Sequence, residues 1–392
     1  MTDYSMLRLK EVMVSRGGTI DPSRFADERF TLYSIPAFDR GTPDSVLGAE
    51  IGSSKQVVSP GDVLLSKIVP HIRRAWVVSD GHADRVIASG EWIVFRGEKL
   101  HPPYLRQILL SDPFHRRFME TVAGVGGSLM RARPAHVADI SVPFPPLAEQ
   151  RRLAVVLDQV DTLRGKRREA IALLDDLAQA IFLDMFDPED TGTPVVSIDE
   201  LCSLVVDCVN RTAPVVDRAT PFKMIRTTNV KNGRVDLRVT RYVEEDVFRR
   251  WNRRATPRRG DVLLTREAPV GEVGVLATDD HVFLGQRLML YRVDPDRATP
   301  EYLSAALRSP YLKGQYERSG SGSTVKHLSL PTCRSLRVPA PDVSAQRQFA
   351  ARIAKLDELK ADHNRHLVAL DELFGSLQQR AFAGRLRNHE AA

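Results

Sequence analysis

The second half of this chain repeats the layout of the first, which limits the folds open to it more than any local motif does. Pro60-Gly-Asp-Val-Leu-Leu-Ser66 returns as Arg259-Gly-Asp-Val-Leu-Leu-Thr265. Pro102-Pro-Tyr-Leu105 is echoed by Pro300-Glu-Tyr-Leu303, each opening a helix-like run that ends at Ser111-Asp-Pro113 or Ser309-Pro310. A Gly/Ser loop (Gly124–Ser128, Gly320–Ser323) then leads to Ser141-Val-Pro-Phe-Pro-Pro146 and Arg337-Val-Pro-Ala-Pro341. After each proline cluster Gln150, Arg151, Ala154, Asp161, Leu163, Leu174, Asp175, Leu177 and Phe186 match Gln346, Arg347, Ala350, Asp357, Leu359, Leu370, Asp371, Leu373 and Phe382, at a constant offset of 196 residues.

These last segments carry apolar residues in steps of three or four: Leu153, Val156, Val160, Leu163, Ile171, Leu174, Ala178, Ile181 and Met185, and again Phe349, Ile353, Leu356, Leu359, Leu367, Leu370, Phe374, Leu377 and Ala381. Such stripes predict amphipathic helices of about 35 residues, roughly 50 Å long. The prolines precede them, where a missing N–H is harmless, and Pro188 with Thr191-Gly-Thr-Pro194 stops the first. One stripe alone is equally a core-facing helix within its own domain. Two equivalent stripes, each with a polar midsection (Arg164–Glu169, Lys360–His366), predict pairing with one another.

Upstream of each helix lies a block of mixed signals. Apolar runs at 63–66, 75–78 and 92–95, then at 262–265, 273–276 and 288–291, are bounded by Gly, Pro and Asp and predict strands, with a helix near 102–111 and 300–308. The fold class read from this is α/β (α+β): two globular domains alternating with two long helices that pair as an antiparallel coiled coil, an internal pseudo-twofold duplication.

Composition narrows the function. With 43% apolar and 27% charged residues the chain is globular, and no stretch approaches the roughly 20 apolar residues that span a bilayer. The start MTDYSMLRLKEV has no apolar core behind a basic end, so no secretory signal is expected. Cys202, Cys208 and Cys333 form neither a paired framework nor a CxxC, which fits a reducing cytoplasm. A net charge of +6 points modestly to a polyanionic partner.

At this point the chain resembles the specificity subunit of Type I restriction-modification systems over nearly its whole length. Val142-Pro-Phe-Pro-Pro-Leu-Ala-Glu-Gln-Arg151 and Val338-Pro-Ala-Pro-Asp-Val-Ser-Ala-Gln-Arg347, each leading a long helix, carry the likeness. Gly61-Asp-Val-Leu-Leu-Ser-Lys-Ile-Val-Pro-His-Ile-Arg-Arg-Ala-Trp76 is similar to one subclass of that family's target-recognition domains, and Met224-Ile-Arg-Thr-Thr-Asn-Val-Lys-Asn-Gly233 to the opening of another. The second repeat departs at Ala345, where the first has Glu149, and lacks one proline.

The resemblance implies target-recognition domains at 1–145 and 193–341 and spacer helices at 146–187 and 342–386. It implies a chain that is not an enzyme: each domain reads one half of a split, asymmetric site on double-stranded DNA, and the helices set the gap. Two modification (methyltransferase) subunits dock on the helices and methylate adenine with S-adenosylmethionine. Two restriction subunits, in systems that have them, add ATP- and Mg-dependent translocation and cleavage. No cofactor or metal is expected on this chain itself, and no membrane.

Base reading needs Arg or Lys for guanine and Asn or Gln for adenine, projected from a rigid scaffold. The candidate DNA contacts in the first block are Lys67, His71, Arg73 and Arg74, after the Gly-Asp-Val-Leu-Leu strand, with Ser128, Arg131 and Arg133 at the Gly/Ser loop. In the second they are Arg226, Asn229, Arg253, Arg254 and Arg266, with Ser323, Thr324, Lys326 and His327 at the matching loop. Arg253 and Arg254 belong to the run 249–259, with six arginines in eleven residues; the plain alternative is a solvated helix face paired with Glu244, Glu245 and Asp246.

Three decoys imitate enzymes. His101-Pro-Pro-Tyr104 is similar to the motif that holds a flipped adenine, but its repeat partner Thr299-Pro-Glu-Tyr302 marks it as a helix start. Glu120–Gly126 imitates a cofactor loop without the following helix. Pro341-Asp342 with Glu358-Leu-Lys360 imitates a nuclease signature, yet its carboxylates fall along one helix. The competing readings are the specificity partner of a fused restriction-methylation system, a DNA methyltransferase, which would bind S-adenosylmethionine alone, and a coiled-coil scaffold indifferent to DNA sequence.

Overall fold

A computed structural model of the 392-residue chain describes residues 4–15, 17–81, 83–124, 130–187, 191–319 and 327–386. The chain divides into two compact units, residues 1–168 with 365–392, and residues 169–364. Both long helices exist, Leu147–Phe186 and Val343–Phe382, each of 40 residues. Each is shared between the units, because the division falls at 168/169 and at 364/365.

In the first unit a five-stranded sheet runs in the spatial order Thr19–Ile20, Lys55–Val57, Arg85–Ala88, Arg29–Tyr33, Asp44–Leu47. A second sheet places Val63–Ser66 between Ala75–Val77 and Trp92–Phe95. Val63–Ser66 is buried at every position, the expected consequence of a central strand covered on both faces. Helix Pro102–Leu109 begins with two prolines where N–H groups would be orphaned, and the side chain of Ser111 caps the next helix, Asp112–Glu120.

The second unit has a six-stranded sheet in the order Cys202–Asp207, Leu288–Val293, Val262–Arg266, Val270–Val275, Gly233–Val235, Val230–Lys231. A three-stranded sheet places Lys223–Ile225 between Arg241–Tyr242 and Val282–Leu284. Helix Pro300–Arg308 covers the large sheet and Glu245–Trp251 the small one.

Within each unit a piece of one long helix runs antiparallel to a piece of the other. In the first, Arg164 reaches Asp371 (2.6 Å) and stacks over Phe374, while Arg152 reaches the carbonyl of Leu386 (2.9 Å). In the second, Lys360 pairs with Asp175, and Phe349 meets Phe182 and Phe186. The helix ends finish the cores. Phe186, fully buried, lies edge-on to Tyr302 at 5.0 Å, and Phe382 edge-on to Tyr104 at 6.1 Å. The end of the helix that follows the first block therefore packs on the second block's Tyr302, and the reverse holds at Tyr104.

Candidate nucleic-acid interface

One internal framework recurs in both units and fixes the loops that carry the candidate contacts. Gln150, with no exposed surface, accepts from the His101 amide (2.8 Å) and donates to the carbonyls of Lys99 (3.0 Å) and Pro145 (2.9 Å). Gln346 repeats this on Thr299 N (2.8 Å), Arg297 O (3.0 Å) and Pro341 O (2.9 Å). Each glutamine thus ties the start of a long helix to the entry of the short helix in its unit. The Tyr104 hydroxyl donates to Pro143 O, and Tyr302 to Pro339 O. His101 is the N-cap residue of a helix, as the repeat comparison predicts for that decoy.

The aspartate of each Gly-Asp-Val-Leu-Leu is part of the same framework. Asp62, 1% exposed, is gripped at both oxygens by Arg96 (2.6 and 2.6 Å), and Asp261, also 1% exposed, by Arg292 (2.8 and 2.8 Å). The second oxygen also accepts the amide of Ser59 or Arg258, which closes the turn into the strand. Sequence reading finds the motif but not Arg96 or Arg292; their recurrence at equivalent places, next after Phe95 and Tyr291, is the signal.

Beyond that strand both units build the same loop. Lys67 O accepts from Ala132 N (2.8 Å) and Val69 N donates to Met130 O (3.2 Å), so 130–132 runs beside 67–69. In the second unit Arg266 O accepts from Leu328 N (3.0 Å), and Glu267 bridges His327. Val69 (φ +46°) and Ala268 (φ +48°), each before a proline, both hold the left-handed conformation that side-chain-bearing residues avoid. The same unusual backbone conformation thus recurs at one equivalent place in the two loops, which form the rim of each unit's candidate interface.

Several candidates converge there. Lys67 donates to Gly90 O (2.6 Å) and Arg131 pairs with Glu91 (3.1 Å), which places both cations over one turn. Arg266 lies beside His327, and its Nε is buried without a hydrogen-bond partner. His71, Arg133 and Arg253 are exposed, and neither Arg133 nor Arg253 has an ion-pair partner among the described residues. Ser128, Ser323, Thr324 and Lys326 lie outside the described residues.

Two candidates, Arg74 and Asn229, are occupied inside the protein, and the expectation for them is corrected. Arg74 is 9% exposed and clamped by Asp39 (2.7 and 2.9 Å), a buried tie that cannot reach a groove. Asn229 is 5% exposed; its amide donates to Asp236 O and Val239 O (2.8 Å each) and accepts from Arg226 N (2.9 Å). It shapes a turn. Arg73 and Arg254 are exposed and make surface contacts, Arg73 with Leu110 O and Asp112, Arg254 with Asp207. In the arginine run Arg249 and Arg250 pair with Glu245 (2.6 Å) and Asp246 (2.9 Å), the solvated-face arrangement.

Burial pushes the Cys202 thiol up to about 12 and the Cys333 thiol up to about 11, so both stay protonated at neutral pH. Among the described residues no group of three or more His, Cys, Asp or Glu is placed to hold a metal, and no helix is long and apolar enough to cross a membrane.

Comparison with known proteins gives the relationship. No family model matches the chain. It is 24% identical over 281 residues to the EcoBI specificity subunit of a Type I restriction enzyme from Escherichia coli, covering 63% of this chain and 59% of that one. Over 324 residues it is 24% identical to the EcoKI specificity subunit of Escherichia coli K12, covering 75% and 68%. The chain is thus similar to the specificity subunits of Type I restriction enzymes. The EcoBI match and that to the MjaVIII specificity subunit of Methanocaldococcus jannaschii (21% identical) span less than two thirds of those relatives, 59% and 56%. The fold agrees along the whole length. A solved chain described under assembly and conformational transition of the type I R-M system superposes with a TM-score of 0.55 at 21% identity, over 98% of each chain. The Type I S subunit from M. genitalium gives 0.56 at 10% identity, over 97% and 96%. The mixed sheet-and-helix fold of this chain is thus shared with those two solved chains.

Proposed function

We propose that this chain is the DNA-reading, non-catalytic specificity subunit of a Type I restriction-modification complex. Each unit reads one half of a split, asymmetric site, and the long helices set the gap and dock two modification subunits. Restriction subunits join where the system encodes them. S-adenosylmethionine, and ATP with Mg, are on this reading used by those partners. The observation that carries the proposal is one buried framework, built on Gln150 and Gln346 and on Asp62 and Asp261, beneath two rims of different chemistry: Lys67 with Arg131 in one unit, Arg266 with His327 in the other. A repeated mount for unlike readers is what asymmetric recognition requires.

The test is a double variant, Arg131→Ala with Arg133→Ala, in binding assays on duplexes that scan each half-site separately. The proposal expects weaker binding through one half, by about 10-fold or more, with the sequence preference at the other half intact. Equal loss of discrimination at both halves contradicts it.

A further inference from the structure

The arginines that sequence singles out at 249–259 are largely answered by carboxylates, including Arg259 by Asp279 (3.0 Å). Three other arginines that lack one line a single cavity elsewhere in the second unit. A cavity of about 260 Å³ is lined by Arg211, Arg226, Arg241 and Arg287, with Trp251 and Gln286, and by no carboxylate. Among the described residues Arg211, Arg226 and Arg241 have no ion-pair partner, while Arg287 reaches Glu267 at 3.4 Å.

The sheet brings them together. Arg241 stands directly opposite Met224 in the antiparallel pair of Arg241–Tyr242 with Lys223–Ile225, and opposed residues share a face. Arg226 follows Met224 by two positions and so lies toward that face too. Val282–Leu284 runs parallel to the same strand, and the Gly285 amide donates to Ile225 O (2.7 Å), which leads Gln286 and Arg287 past the same end. Arg287 is held left-handed (φ +71°). Asn229, by accepting from the Arg226 amide, fixes the turn that presents Arg226. Trp251 closes the site from the end of helix Glu245–Trp251.

Three guanidinium groups without a carboxylate, beside Arg287 that Glu267 partly answers, repel each other, and an anion among them relieves that repulsion. Their planar forks match phosphate oxygens in pairs, and an indole face offers a surface for a sugar or base. The volume suits a single phosphate with its adjoining sugar. We propose that this cavity grips a phosphodiester of the DNA strand and is the backbone anchor of the second unit. The inference rests on the DNA-reading proposal and deepens it by naming the anchor.

The experiment measures duplex binding by the full chain across a salt series, for the unaltered protein, for Arg211→Ala/Arg241→Ala, and for Arg249→Ala/Arg250→Ala. Arg211 and Arg241 are exposed, so truncation removes charge without opening the core. The expected result is an affinity loss of about 10-fold or more, equal for specific and random duplexes, with the slope of log affinity against log salt shallower by about 1 to 2 in Arg211→Ala/Arg241→Ala. Arg249→Ala/Arg250→Ala should change affinity by less than about 3-fold. Unchanged affinity and slope in Arg211→Ala/Arg241→Ala, with normal binding by the unaltered chain, overturns this inference and leaves the DNA-reading proposal standing. Loss of binding to inorganic phosphate or a free nucleotide with duplex affinity unaffected also overturns it, in favour of a small-molecule site. No duplex binding by the unaltered chain defeats both.

Discussion

Asp62 and Asp261 show how far one residue's surroundings decide its weight. Both are 1% exposed and both are held at two oxygens, but Arg96 keeps half its side chain in water and Arg292 only 18%. Removing a carboxylate strands its partner cation, and a stranded cation near water is rehydrated more readily. Asp261→Ala should therefore lower unfolding free energy by about 3 kcal/mol and Asp62→Ala by clearly less, as read by urea titration. A second residue-level prediction concerns pH. Arg152 beside Glu149 holds its carboxyl below the usual range, helped by the Tyr4 hydroxyl, which burial pushes up to about 12. A carboxyl that titrates lower when folded adds stability above its unfolded pKa and loses it as pH falls through the folded value. Glu149→Gln should cost stability at neutral pH, and the gap from the unaltered chain should close on acidification; a gap that does not narrow contradicts the assignment. Residues are also where sequence reading was weakest. Lys67, Arg131 and Arg266 could be picked as rim cations, but nothing in a sequence reveals that Asp39 waits for Arg74 or that Asn229 spends every amide group on backbone.

At the scale of elements the sequence was far more legible. Val63–Ser66, Trp92–Phe95 and Pro300–Arg308 are read at their observed limits, because an unbroken apolar run between turn residues and a proline-led helix start are local signals. The long helices follow from periodicity, extending to 40 residues where the stripes indicate about 35. What periodicity cannot give is the partner of a buried stripe. It marks Phe186 and Phe382 as apolar ends, not that each seals the core around the other block's tyrosine. Phe186 is fully buried and Phe382 only partly, so Phe186→Ala should cost about 3 to 5 kcal/mol and Phe382→Ala visibly less, in the same urea titration. Equal costs would show that burial at these ends does not set their contribution. The ion pairs of Arg164 and Arg168 with Asp371 are partly exposed and add little by comparison.

For the whole molecule, the offset of 196 residues that links Gln150 to Gln346 in sequence is matched by the same three hydrogen bonds at each glutamine. On the proposed function, two units built on one buried plan with unlike rims hold two different readers, and what those readers touch aims a methyltransferase partner. Mapping methylated adenines in the host genome, with this gene intact and deleted, tests that most directly. The account predicts one split motif with unlike halves and a fixed gap, methylated only when the gene is present. A methylation pattern unchanged by the deletion, or a lost motif that is unsplit or palindromic, would contradict it.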